Sequence, residues 1–201
     1  MQLSPQTEWS KLYDVIVDEL QRTSMSDFER AWQSCEAKTD FYGRFFQAVA
    51  ERLGYLPWTE FLRCDFVIAN REGIPVAFIE SENMHGSATD EVEKLCAVAA
   101  PVKILLLSCE WSDSERDILS PRWRERIALQ HSYFGVECIY VFMVGEWGRG
   151  RPDDGILRYL FDVIDHHGVE LYRREIILPN TAPEPTQTAP LSLHTLSKPA
   201  P

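Results

Sequence analysis

The stretch from Phe61 to Lys94, FLRCDFVIANREGIPVAFIESENMHGSATDEVEK, restricts the fold more than any other part of the chain. Two runs rich in β-branched and aromatic residues flank Asn70-Arg71-Glu72-Gly73, a turn signal, so the pattern predicts an antiparallel hairpin. Side chains alternate faces along a strand, and directly opposed residues share a face. With Glu72 and Gly73 as the two central turn residues, Asp65 stands opposite Glu80, and Glu82 shares their face with Val67, Val76 and Phe78. The other face then collects Leu62, Cys64, Phe66, Ile68, Ala77 and Ile79. Three carboxylates therefore emerge from a hairpin otherwise built to be buried.

Acids so placed are costly. Two carboxylates about 4 Å apart repel by roughly 4 kcal/mol at an effective dielectric near 20, so they must protonate, separate or share a cation. All-oxygen ligands suit magnesium, manganese or calcium. The plainer alternative is an acidic strand end in solvent, with Glu80-Ser81-Glu82-Asn83 simply leaving the sheet.

The hairpin resembles the PD-(D/E)xK nuclease superfamily, whose core is a helix, a hairpin bearing an Asp and then (D/E)-x-K, a crossover helix and a further parallel strand. Asp65 looks like the first acid and Glu80 like the second, and Glu82 stands where the lysine usually is, giving the E-x-E variant. The likeness spans about Asp40 to Ser108. Two departures accompany it: Cys64 rather than Pro precedes Asp65, and the third motif position has no lysine. The resemblance implies a restriction-endonuclease-like α/β (α+β) fold, a mixed sheet flanked by helices. It also implies a Mg2+- or Mn2+-dependent phosphodiesterase cleaving DNA or RNA, with Asp65, Glu80 and Glu82 as metal ligands. Lys94 on the next helix is a second candidate for the lysine, although a helical wheel puts it nearly opposite the apolar stripe of Val92, Leu95, Cys96 and Ala99. Glu91 on the flank of that stripe, and Glu51 on the helix before the hairpin, are the supporting acids. The rival reading is the same fold with a worn site, serving as a binding or regulatory subunit.

Around this centre the periodicity predicts helices over 7–23, from a Ser26 cap through Cys35, and over 40–53 closed by Gly54. A capping box at Ser87-Ala88-Thr89-Asp90 starts a further helix. VKILLLS, residues 102–108, is a nearly continuous apolar run of the kind covered on both faces, and it should lie parallel to the second hairpin strand. A helix after Pro121, a strand at CIYVFMVGEW and two last strands around Asp165-His166-His167-Gly168 complete a single domain over 1–178, with 1–39 as a helical extension. Arg149-Gly150-Arg151-Pro152 spells a minor-groove hook, but Asp153 and Asp154 beside it favour a loop. The Pro-rich segment 179–201 reads as a disordered tail.

The chain has 201 residues and a formal net charge of −11, which argues against coating nucleic acid non-specifically, because that binding rests on Lys and Arg neutralising phosphates. Nucleic acid must then be met locally. Five scattered cysteines without a C-x-x-C pair point to free thiols rather than disulfides or a zinc site. No apolar run is long enough for a membrane span, and a cytoplasmic protein is expected. A homodimer or a protein partner is left open.

Overall fold

The computed structural model describes residues 4–84, 86–109, 113–147 and 156–178. Helices α1 (Pro5–Arg22), α2 (Met25–Ala31) and α3 (Cys35–Leu53) lead into strands β1 (Leu56–Phe61), β2 (Cys64–Ala69) and β3 (Pro75–Glu82). Helix α4 (Ala88–Ala97) and strand β4 (Val102–Leu107) follow, then α5 (Asp113–Tyr133), β5 (Ile139–Trp147), β6 (Leu157–Asp165) and β7 (Glu170–Leu178). The seven strands form one sheet in sequence order, with β3, β4 and β5 parallel and every other neighbouring pair antiparallel. This is a mixed α/β architecture, as the sequence pattern predicts.

The β4 run explains the layering. Ile104 and Leu106 face one way and join Trp9, Leu12, Ile16, Phe28 and Phe46 from α1 to α3. Leu105 and Leu107 face the other way and join Val92 and Leu95 of α4 and Trp123 and Ile127 of α5. Both crossovers thus lie on one face, and the amino-terminal helices cover the other. Lys103 interrupts the run and is only 1% exposed. Its Nζ donates to the Tyr140 hydroxyl at 3.0 Å, which in turn lies 3.0 Å from His131 Nε2.

Several boundaries differ from expectation. The helical extension expected over 1–39 packs into the domain: α1 buries Trp9, Leu12, Ile16 and Leu20, and Trp9 Nε1 donates to Tyr172 of β7 at 2.6 Å. Helix α2 is capped by Ser24, whose side chain accepts from Asp27 N, and α3 begins at Cys35 behind a Ser34 cap. Helix α5 starts before Pro121 rather than after it. Ser87 precedes α4 as expected, but its hydroxyl donates to Met84 O and does not cap the helix. The turn between β6 and β7 holds as read, with Asp165 Oδ1 accepting from His167 N and Val169 N. The hook-like 149–152 and the tail 179–201 lie outside the described residues. No helix among the described residues is long and apolar enough to cross a membrane.

The central hairpin reaches its expected register by an unexpected route. Asn70 and Ile74 close a three-residue loop: Asn70 N donates to Ile74 O, Gly73 N donates to Asn70 O, and Gly73 takes φ 76°. That loop alone would shift the strands by one residue. A bulge offsets it, because Ala69 pairs with Pro75 but Ile68 pairs with Ala77, leaving Val76 without a partner. Val76 therefore packs with Ala77 in the α1–α3 layer instead of on the carboxylate face. Phe66 pairs with Ile79, so one step further along the register sets Asp65 opposite Glu80.

A candidate acidic site at the β2–β3 hairpin

Strand β1, an exposed strand with no clean alternation in its sequence, controls how the first acid enters. Phe61 pairs with Cys64 across a two-residue connection, Leu62-Arg63, in which both residues have positive φ, 53° and 68°. Glu60 just before it has φ 54°. Two-residue hairpins of this twist favour Asn-Gly, and each ordinary side chain held there costs on the order of 1–2 kcal/mol. The tight turn brings Cys64 and Asp65 down together onto the start of β2. Cys64 packs in the α4–α5 layer and not, as alternation suggested, with Phe66.

Glu80 is the centre of the cluster. It is 1% exposed, and neither carboxyl oxygen has a hydrogen-bond partner of normal geometry. Burial, then the Asp65 carboxylate, then Glu91 push its pKa up to about 8, against the pull of the Cys64 thiol and the Lys94 ammonium beside it. Asp65 is half-buried and tethered, with Oδ2 accepting from Ser81 N at 2.8 Å. Burial and the neighbouring Glu80 push the Cys64 thiol up to about 12, which leaves it a weak donor rather than a nucleophile.

Helix α4 contributes the counter-charge. Lys94 Nζ lies 3.8 Å from Glu80 Oε1 and 2.5 Å from Glu91 Oε2. Glu91 and Lys94 are three residues apart and so share one flank of the helix. Partial burial pulls the Lys94 pKa down, but Glu91, Glu80 and Asp65 outweigh it and hold the ammonium above its usual range. The wheel argument against Lys94 fails for a physical reason. The acids lie beside the buried stripe of Ala88, Val92 and Leu95, where a long side chain leaning across the helix surface reaches them.

Two expected members stand apart. Glu82 points its carboxylate at its own loop, with Oε1 accepting from Asn83 N at 2.6 Å and Met84 N at 2.9 Å. Glu51 is exposed on α3, in the layer covering the opposite face, and accepts from Gln47 Nε2 at 2.9 Å. The structure thus gathers Asp65, Glu80, Glu91 and Lys94, adds Cys64, and leaves Glu82 and Glu51 aside. Among the described residues no group of three or more His, Cys, Asp or Glu side chains is placed to hold a metal ion. No protein-family model matches the chain, and no curated protein matches it in sequence.

Proposed function

We propose that the chain is a divalent-cation-dependent phosphodiesterase acting on DNA or RNA, with Asp65 and Glu80 as the cation's carboxylates. The observation that carries this reading is Glu80: a buried carboxyl whose oxygens lack a hydrogen bond of normal geometry and have only a distant ammonium, Lys94 at 3.8 Å, set opposite one acid and beside another. A fold keeps such a group at a cost, and a cation shared with Asp65 removes that cost. The donors are oxygens only, and two carboxylates with the remaining positions left to water and phosphate suit Mg2+ or Mn2+. Held by Asp65 and Glu80, such an ion would lower the pKa of a bound water and draw charge from the phosphoryl oxygens.

The chain's own groups divide the rest of the work. The Lys94 ammonium stays protonated at neutral pH, so it stabilises a negative oxygen or orients a water rather than accepting a proton. Glu91 holds that ammonium against the acids. Lys94, and not Glu82, takes the part of the strand lysine. The second reading, a nuclease-like fold that binds without cleaving, draws on the absence of a three-ligand group among the described residues.

The test is cleavage of single- and double-stranded DNA and RNA with Mn2+ or Mg2+. The parent should cut at least one of them only with the cation, and Glu80→Gln and Lys94→Gln should each lower the rate about a hundredfold or more. A parent inert on every substrate contradicts hydrolysis and leaves the binding subunit.

A further inference from the structure

A second feature lies at the carboxyl ends of β3 and β4, where parallel sheets commonly bind ligands. A cleft of about 640 Å³ opens there, lined by Trp32, Lys38, Asn83, Met84 and Ser108. Its size is that of a small-molecule or single-nucleotide site. Two chemistries converge in it, an aromatic face and a cation. Trp32 is held by rings on several sides, with Phe28, Tyr42 and Trp147 all within 6.3 Å between centroids, so its half-exposed indole is a fixed platform. Lys38 Nζ lies 5.8 Å from the centre of that ring and donates to Ser108 O at 2.7 Å, leaving two further N–H donors. Among the described residues no carboxylate pairs with Lys38. Asn83 Oδ1 is buried and accepts no hydrogen bond. The wall carrying Asn83 and Met84 is shaped by Glu82, whose carboxylate binds both their amides.

We propose that this cleft binds one unstacked nucleotide of a single-stranded substrate: the base lies on Trp32 and the phosphate meets Lys38. The assignment rests on the phosphodiesterase reading for its choice of nucleic acid. Glu82 stands two residues beyond Glu80, roughly 7 Å along the strand, and Trp32 and Lys38 lie in the helical layer of the other face, so a strand spanning both sites must cross the carboxyl end of β3. Stacking every base by its π-face makes the site tolerant of sequence and selective for single strands.

The experiment is fluorescence anisotropy of a labelled single-stranded oligodeoxynucleotide and its duplex with the full chain, in chelator so that nothing is cut. The parent should prefer the single strand. Trp32→Leu should weaken that binding about tenfold while Trp32→Phe keeps most of it. Lys38→Gln should weaken it about fivefold and reduce the salt dependence by about one phosphate. Loss in the variants, even with a parent that never cleaves, supports the cleft and removes only the hydrolytic reading. A parent that cleaves while the Trp32 and Lys38 variants bind and cleave like it overturns the cleft alone. A parent that binds no single strand overturns the cleft as well.

Discussion

A carboxyl that keeps its proton to about pH 8 inside the fold ties stability to pH. In the unfolded chain Glu80 titrates near the ordinary Glu value, about 4.3, so the folded state binds the proton more tightly. Its contribution is therefore fully present below about pH 4.3 and is lost as pH rises towards and through 8. Glu80→Gln, which cannot ionise, should lack this loss. Urea titrations at pH 5 and pH 8.5 should show the parent losing, relative to the variant, an amount on the order of a few kcal/mol. Parallel behaviour of the two proteins would place Glu80 in a far more polar setting than its burial indicates. Asp65 and Glu80 were legible as a pair because each interrupts an apolar strand and alternation fixes their face. The partners were not. Whether Glu82 turns to a shared cation or to the amides of Asn83 and Met84 is settled by the path of the loop, which residue type and spacing do not encode. Lys94 was misjudged because a wheel treats side chains as spokes, and a lysine stem spans the gap between a helix flank and its neighbours.

At the scale of elements, the predicted hairpin register held although its predicted turn did not. Asn70 binds the loop through its side chain and backbone, and the bulge at Val76 absorbs the extra residue. Burial of both faces demands the register, so the turn adapts to it. β1 was missed because LPWTEF is an edge strand with little burial, and its Pro and exposed residues carry no clean alternation. The Leu62-Arg63 turn that joins it to β2 gives a sharp prediction. Replacing the pair by Asn-Gly should relieve positive-φ strain and stabilise the protein by about 1–2 kcal/mol, raising Tm by several degrees. Thermal melting checks this, and an unchanged or lower Tm would mean that the two side chains hold the turn by contacts that outweigh the strain.

Over the whole molecule, the amino-terminal helices supply the helical side of the core on one face of the sheet. The sequence showed α1 as an amphipathic helix, but nothing local says what its apolar face covers, and reading 1–39 as an extension followed from that silence. Trp9, Leu12, Ile16 and Leu20 are each no more than 2% exposed, and burying side chains of this size contributes about 1.5–3 kcal/mol apiece. A chain starting at Met25 should therefore lose its cooperative unfolding transition, seen by calorimetry or near-ultraviolet circular dichroism. Retention of that transition would show that the sheet folds without its first helix.

Whether the Asp65–Glu80 pair is a cation site is read most directly from the melting temperature of parent and Glu80→Gln at pH 8 with and without millimolar Mn2+ or Mg2+. A ligand bound only by the folded state adds about 2.7 kcal/mol at a hundredfold excess over Kd. The parent should therefore melt several degrees higher with the cation, and Glu80→Gln should start at least as stable without it and gain nothing from it. A parent whose melting is indifferent to both cations, beside a Glu80→Gln protein that is less stable at every condition, would contradict a cation site and make Glu80 a structural group.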